Sequence, residues 1–245
     1  MVRYSKPILF LSKEQICREA EDLLCRWSDF IGQKAVPPIP VEAIAEKHLG
    51  ITLEYDDLGE ILGLPDVLGA TWVDEKRIVI NKSLATEKEE GRLNFTCGHE
   101  IGHWVLHRQF LSSNDSEPAV ICRTSRAKSR EEWQADYFSA CLLMPAGEVR
   151  GAYHRAFGSQ PLVFHNEKSC FGKHAFFLDP ALDSAGEIAY RVKTAGNFLN
   201  VSKEALCYRL EELCLIQNRT NKSLPAFFRE KTPSRPKPLN KTSLV

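Results

Sequence analysis

The stretch LNFTCGHEIGHWVLHR, residues 93–108, contains the pattern His-Glu-x-x-His. Residues four apart in a helix lie on one face, one turn apart, so the rings of His99 and His103 can reach a single ion. Zinc binds imidazole nitrogens at about 2.0–2.1 Å. Glu100 stands beside the first histidine, where it can take a proton from water rather than bind the metal. The alternative is a surface helix that carries two histidines without a metal.

A catalytic zinc site needs a third protein ligand and an open position for water. His107 lies a further turn along, but residues 99–107 span about 12 Å of helix rise. An ion that bridges the first two histidines cannot also meet the third, so His107 is expected to pack or hydrogen-bond at the end of the cleft. Glu132 is the better candidate, because Asp136 follows it by one turn and would accept a proton from the outer nitrogen of a ligating histidine. The alternative is a solvated helix face.

The rest of the chain predicts helices and strands around this motif. Ser12 and Gln15 predict a capping box for the first helix, and Gly50 predicts the end of the second. In chain order we expect a helix over 12–31, a short helix over 41–49, a strand over 51–58, a hairpin over 68–84, helices over 86–107 and 130–144, and two helices within 187–216. Residues 109–129 and 151–185 show no clear period and are expected to be irregular.

Composition indicates a globular protein with no strong attraction to nucleic acid or membranes. The 245 residues include 32 Lys and Arg against 32 Asp and Glu, so the formal net charge is zero. We expect neither a membrane span nor a signal peptide, because the apolar runs are too short. None of the eight cysteines lies in a Cys-x-x-Cys pair, and several fall in apolar helical stretches, which predicts buried free thiols. This favours a reducing compartment, with the cytoplasm as the default.

Four stretches together resemble the ImmA/IrrE family of metallopeptidases, which bacteria, phages and mobile elements encode. They are PVEAIAEKHLGI at 40–51, the hairpin that ends in RIVINKSL, LNFTCGHEIGHWVLHR at 93–108 and EWQADYFSACLLMP at 132–145. The resemblance covers about residues 36–146 and implies an α+β, zincin-like core with a small antiparallel or mixed sheet. By this resemblance, His99, His103 and Glu132 match the metal ligands. Glu100 matches the catalytic glutamate on the active-site helix.

A weaker resemblance extends to FLNVSKEALCYRLEEL at 198–213, which is similar to the helix-turn-helix-like segment that often follows the peptidase core of the family. Family members commonly have Glu-Ala-Asn where this chain has Gln134-Ala135-Asp136, and Asp136 can still accept a hydrogen bond. We expect five parts: an N-terminal helical extension over 1–34, the peptidase core over 35–150, an irregular insertion over 151–185, a helical hairpin over 186–217 and a basic, disordered tail over 218–245.

The resemblance implies peptide-bond hydrolysis and a protein substrate. Family members typically act on a helix-turn-helix repressor and so switch on stress-response or mobile-element genes. The expected cofactor is Zn²⁺, although Mn²⁺ and Fe²⁺ accept the same ligand types. Tyr137, His107 and Arg126 are candidate cleft residues for stabilising the transition state. The strand RIVIN at 77–81 is expected to bind the substrate as an added strand.

A regulator that binds DNA and carries only a structural or sensory metal is the alternative. The predicted helices within 187–216 and the seven Lys or Arg of the tail from Arg219 favour it. Against it, the second of these helices mixes Lys203 and Arg209 with three glutamates, which is a poor surface for phosphates. A structural site also has no use for an unligated Glu100 beside the metal. Direct DNA binding is therefore not favoured.

Overall fold

A computed structural model describes the protein over six ranges of the chain, namely 9–64, 66–85, 90–110, 120–124, 129–165 and 185–219. The described helices are α1 Lys13–Ile31, α2 Val41–Ala43, α3 Leu58–Leu62, α4 Glu90–His107, α5 Arg130–Leu143, α6 Ala146–Phe157, α7 Ala185–Ala195 and α8 Lys203–Glu212. A π-helical turn, Ile44–His48, continues α2. The described strands are β1 Thr52–Asp56, β2 Val67–Trp72, β3 Arg77–Asn81, β4 Val120–Thr124, β5 Leu162–His165 and β6 Ile216–Arg219.

Capping interactions define the ends of α1 and α8, and the predicted capping box of α1 is confirmed. The Ser12 hydroxyl accepts from the Gln15 N–H, and the Gln15 side chain accepts from the Ser12 N–H, which completes the capping box of α1. Gly32 ends α1 in the left-handed conformation, with φ of 69°, which glycine adopts without strain. Ser202 caps α8 by accepting from the N–H of Ala205. Local sequence signals therefore determine where these helices begin and end.

Four strands form a mixed sheet in the order β1-β3-β2-β4. β1 runs parallel to β3, while β2 runs antiparallel to both of its neighbours, and the predicted hairpin of β2 and β3 is confirmed. Because β3 pairs on both sides, the expectation that the strand at 77–81 binds an added substrate strand is wrong. The expectation of irregular structure throughout 109–129 is also wrong, because β4 lies there and pairs with β2.

A second, two-stranded sheet joins β5 and β6 in parallel, with Leu162 opposite Ile216. The expectation of irregular structure over 151–185 is therefore wrong where the structure describes it, since α6 continues to Phe157 and β5 follows. Each of these strands has only four residues, and its partner is distant in sequence, so the local pattern does not reveal the pair. Residues 166–184 and the basic tail from 220 onward lie outside the described residues.

One apolar core connects the N-terminal, central and C-terminal helices. It includes Ile16 of α1, Ile101 of α4, Phe138 of α5, Val192 of α7 and Leu206 of α8, all of them buried. Burying an apolar side chain of this size contributes about 1.5–3 kcal/mol, so the shared core holds these helices together. The two predicted C-terminal helices are confirmed as α7 and α8.

Two inferences from composition can be compared with the structure. A disulfide bond joins Cys17 of α1 to Cys141 of α5, with 5.5 Å between their Cα atoms, so the prediction of free thiols is wrong for this pair. These cysteines are 124 residues apart in sequence, and only the packing of α1 against α5 brings them together. The free cysteines of the described residues are Cys25, Cys97, Cys207 and Cys214. Within the described ranges, the helices are too short or too polar to cross a membrane.

Candidate metal centre

Small residues let α4 and α5 approach closely. A Cβ atom added at Gly98 would lie 2.6 Å from the Ser139 hydroxyl oxygen, and one added at Gly102 would lie 3.2 Å from the backbone of Ala135. The Ser139 hydroxyl donates to the backbone carbonyl of Phe95 across the same contact. Glycine at positions 98 and 102 therefore allows the backbone of α5 to pack directly against the helix that carries the histidines.

Three side chains converge where α4 faces the first turn of α5. His99 Nε2 and His103 Nε2 are 2.9 Å apart, and each lies 3.2 Å from a different carboxylate oxygen of Glu132. The Ser129 hydroxyl caps α5 by accepting from the N–H of Glu132, which fixes the backbone of the first turn. Both histidines are fully buried, and Glu132 is 8% exposed. The structure thus brings the three predicted ligands within reach of one ion.

The two histidines have different partners at their Nδ1 atoms. His99 Nδ1 lies 2.8 Å from a carboxylate oxygen of Asp136, the residue expected to orient a ligand. His103 Nδ1 lies 2.9 Å from His107 Nδ1, and His107 Nε2 lies 3.1 Å from Oε1 of Gln134. His107 therefore binds the ring edge of His103 that faces away from the converging atoms.

Residues of β2 position the carboxylate of Glu100, which is fully buried. The Thr71 hydroxyl donates to Oε2 of Glu100 at 2.7 Å. A Cβ atom added at Gly69 would lie 2.6 Å from Oε1 and 2.9 Å from Cγ of Glu100, so only glycine leaves room for the glutamate. The contacts with β2 thus hold the carboxylate of Glu100, the residue that follows His99 in the chain.

Burial governs the ionisation of this cluster. Desolvation lowers the pKa of His103 to about 3, and it also lowers the pKa of His107. Burial alone would raise the pKa of Glu132, but its interactions with the His103 and His99 rings outweigh this effect and lower the pKa to about 2. At neutral pH the cluster therefore presents a neutral His103 ring and an ionised carboxylate, which are the forms that bind a metal ion.

The donor set fits a divalent transition metal. Two imidazole nitrogens and one carboxylate match the three protein ligands of catalytic zinc sites, which leave a further position open. Each imidazole also has a partner at its other nitrogen, as metal-ligating histidines almost always do. In this arrangement His99, His103 and Glu132 would hold the ion, while Asp136 and His107 would orient the two rings.

The candidate residues for transition-state stabilisation lie in different places. Tyr137 lines a cavity of about 910 Å³ between α5 and α8, and its hydroxyl lies 3.9 Å from Sγ of Cys17. Burial and a hydrogen bond with Glu212 raise the pKa of Tyr137 to about 12, so this hydroxyl faces α1 and α8. His107 has hydrogen-bond partners at both ring nitrogens. Arg126 lies outside the described residues.

Sequence reasoning missed Gly69, Thr71 and Gln134. The first two are separated by one residue on a strand, so their side chains face the same side of the sheet, and that side is covered by α4. Alternation of small residues on the strand before the active helix was the available signal. For Gln134 no local signal exists, because its partners come from α4 and from the segment before α1.

Comparison with known families places these observations in context. The family model of the IrrE N-terminal-like domain, Peptidase M78, matches residues 46–171, slightly more than half of the chain. The search of curated proteins found no match to the chain. The matched region contains the four-stranded sheet together with α4 and α5, whereas α1, α7 and α8 lie outside it. This match establishes that the chain belongs to the ImmA/IrrE family and is a metallopeptidase.

Proposed function

We propose that the protein is a zinc-dependent endopeptidase that cleaves a helix-turn-helix transcriptional repressor and so derepresses stress-response or mobile-element genes. The observation that carries the proposal is the convergence of His99, His103 and Glu132, with the buried carboxylate of the next residue after His99, Glu100, held by Thr71. Family membership supports a protein substrate. The repressor is inferred by analogy with the family, since a fold does not by itself define a substrate. A cytoplasmic setting belongs to the same proposal: the four free cysteines of the described residues favour it, and the Cys17–Cys141 disulfide counts against it.

Zinc is proposed because its catalytic sites combine imidazole and carboxylate ligands and keep one position open. When bound, zinc supplies Lewis acidity to the substrate carbonyl and lowers the pKa of water. His99, His103 and Glu132 are the residues proposed to hold it. Mn²⁺ and Fe²⁺ accept the same ligand types, so the metal that supports the highest activity is part of the test.

Glu100 is proposed to act first as a general base and then as a general acid. Its carboxylate takes a proton from the attacking water, the water oxygen bonds to the scissile carbonyl carbon, and the proton passes to the amine nitrogen as the C–N bond breaks. The Thr71 hydroxyl donates to Oε2 of Glu100, which holds the carboxylate in one orientation throughout. Proton transfer by a positioned side chain contributes roughly 10²–10⁴-fold to a rate.

An extended segment of the substrate is proposed to pair with β4. This strand pairs with β2 on one side, and its other side has no partner strand within the described residues. Main-chain hydrogen bonds to a free sheet edge bind an extended peptide with little dependence on its sequence. Because β2 carries Gly69 and Thr71, a substrate on β4 would lie one strand away from the residues that position Glu100.

The environment of Arg209 weighs against a DNA-binding regulator. Arg209 lies on α8 but is only 3% exposed, and its guanidinium donates to the Met144 carbonyl and to the Glu212 carboxylate. A guanidinium held in this way is not available to DNA phosphates, which supply most of the non-specific affinity of DNA-binding proteins. We therefore propose that α7 and α8 support the peptidase core.

The proposal is tested with a purified repressor and a metal analysis of three variants. Glu100→Gln should retain zinc and lower the cleavage rate by roughly 10²–10⁴-fold, while His99→Ala should lose both zinc and cleavage. Glu60→Gln, a matched change at an exposed position, should behave as wild type. Undiminished cleavage by Glu100→Gln would refute the mechanism, and an intact repressor after incubation with zinc-loaded wild type would refute the substrate.

A further inference from the structure

A chain of buried hydrogen bonds extends from His103 to the segment that precedes α1. His103 Nδ1 meets His107 Nδ1 at 2.9 Å, and His107 Nε2 meets Oε1 of Gln134 at 3.1 Å. The Gln134 amide nitrogen then donates to the backbone carbonyl of Leu9 at 3.1 Å. The three side chains are completely buried, so water does not compete for the hydrogen bonds between them, while the bond to Leu9 is partly buried.

The carbonyl oxygen of Leu9 determines the direction of these hydrogen bonds, because it can only accept. The Gln134 amide nitrogen must donate to it, so Oε1 of Gln134 accepts from His107 Nε2. With its proton on Nε2, a neutral His107 ring leaves Nδ1 as an acceptor. That atom accepts from His103 Nδ1. As a result, His103 Nε2 carries no proton, and its lone pair points toward Glu132.

Contacts of the residues that follow Leu9 hold its carbonyl in place. Phe10, the next residue, stacks on Trp133 of α5 with parallel rings and 6.4 Å between their centroids. The guanidinium of Arg130 lies 5.8 Å from the centre of the Phe10 ring. Two residues farther on, Ser12 begins α1 with its capping box. The segment is therefore attached to α5 beside the residue that it hydrogen-bonds.

We infer that His107 and Gln134 are positioning residues that hold His103 in the tautomer protonated at Nδ1, and that the Leu9 carbonyl fixes this tautomer. The inference rests on the proposed role of His103 as a metal ligand. It gives the N-terminal extension a part in the site, although Leu9 lies outside the residues matched by the family, 46–171. Leu9 of the extension thus accepts the last hydrogen bond of a chain that starts at His103 in the matched region.

Long-range ¹H–¹⁵N NMR spectra of the metal-free, full-length protein with ¹⁵N-labelled histidine test this inference. In wild type we expect the proton on Nδ1 of His103 and on Nε2 of His107. His107→Leu removes the acceptor, so the His103 proton should shift toward Nε2. The affinity for Zn²⁺, measured by competition with a chelator, should fall by about 10–100-fold.

The conservative variant His107→Asn separates positioning from packing. Its amide oxygen lies near the place of the original Nδ1 atom and can accept from His103. Because this amide has lost the link to Gln134 and can also present its NH2 group, we expect it to restore the Nδ1 proton of His103 in part and to bind Zn²⁺ more tightly than His107→Leu does. An unchanged His103 tautomer in folded His107→Leu would overturn the inference. If wild type binds no Zn²⁺, the proposed function fails, while the tautomers of the metal-free protein still decide the inference.

Gln134→Met is a second variant in case His107→Leu does not fold. It keeps the length of the side chain but cannot link His107 to Leu9. Because the direction of the hydrogen bonds is then no longer fixed, we expect mixed tautomers at both His103 and His107. A single, wild-type tautomer at both rings would contradict the role of the Leu9 carbonyl.

Leu9 and Phe10 provide a matched pair at the N-terminal end of the chain of hydrogen bonds. Leu9→Ala removes a side chain that is 63% exposed and keeps the backbone carbonyl, so the tautomers and the Zn²⁺ affinity should not change. Phe10→Ala removes the ring that packs on Trp133, so the carbonyl is held less firmly. We expect it to weaken Zn²⁺ binding by up to about 10-fold. An effect of Leu9→Ala equal to that of Phe10→Ala would contradict the role of the segment.

Discussion

His99 and His103 lie one turn apart on α4 and face the same glutamate. The Nδ1 atoms of the two rings, however, have partners in different parts of the molecule. The partner of His99 is Asp136, whose side chain is 49% exposed. The partner of His103 is His107, which is fully buried and continues through Gln134 to the segment before α1. The side chain that supports His99 is thus half exposed to solvent, whereas the side chains that support His103, those of His107 and Gln134, are buried.

Substitutions at the two supports should therefore have different consequences. Water can replace a lost partner at a half-exposed position, because hydration there costs little free energy. Inside the protein a lost partner leaves a polar atom unsatisfied, which costs about 1–3 kcal/mol. Substitutions around His103 should therefore affect folding as well as metal binding, whereas substitutions around His99 should affect mainly metal binding.

The largest expected effects come from removing the histidines themselves. His99→Ala and His103→Ala should each lose several kcal/mol of zinc-binding free energy, roughly a third of the 10–16 kcal/mol found for structural zinc sites. In the presence of a chelator, His103→Ala should also lower the free energy of unfolding by about 1–3 kcal/mol more than His99→Ala, because it leaves His107 without its donor. Denaturant titrations of both variants measure this difference, and equal losses of stability would contradict the comparison.

The second effect is a pH dependence of the metal-free protein. Burial lowers the pKa of His103 from 6.5 to about 3, so the unfolded state binds more protons between these values and stability falls as the pH falls. From pH 6.5 to 5 the expected loss is about 2 kcal/mol. The contribution of Glu132, with its pKa lowered from 4.5 to about 2, is lost only below pH 4.5.

Urea titrations at several pH values, with a chelator present, measure this dependence. His103→Gln has no group that titrates at this position, so its stability should change less between pH 6.5 and 5 than that of wild type. A variant with the same pH dependence as wild type would show that the buried ring is not the cause.

The smallest expected effect concerns the exposed support. Asp136→Ala should weaken Zn²⁺ binding by about 10-fold, the lower end of the range for residues that orient a ligand, because water can accept from His99 Nδ1 in its place. Asp136→Asn, whose amide oxygen still accepts, should weaken binding less. Competition with a chelator gives both values. A larger loss for Asp136→Ala than for His107→Leu would reverse the comparison.

The parts of the site that sequence predicts are those built from local spacing. The four-residue spacing of His99 and His103 and that of Glu132 and Asp136 follow from the helical repeat, and the structure has both pairs on helices. The link from His107 to Leu9 depends on packing between segments far apart in sequence, so no local pattern reveals it. The same holds for the pairing of Cys17 with Cys141.

The sheet shows the same limit. The hairpin of β2 and β3 follows from alternation and a polar turn, but strand order decides which edge is free. Because β3, the strand at 77–81, lies between β1 and β2, it has no free edge that could bind a substrate strand. The contact of Thr71 with Glu100 likewise requires knowledge of which strand lies under α4.

A crystal structure of the zinc-loaded protein, with anomalous diffraction recorded at the zinc absorption edge, would show which residues bind the metal. We expect an ion bound by Nε2 of His99, Nε2 of His103 and the Glu132 carboxylate, at about 2.0–2.2 Å, with Glu100 not bound to it. An ion held through His107, or zinc bound elsewhere while this group stays empty, would contradict the proposed site.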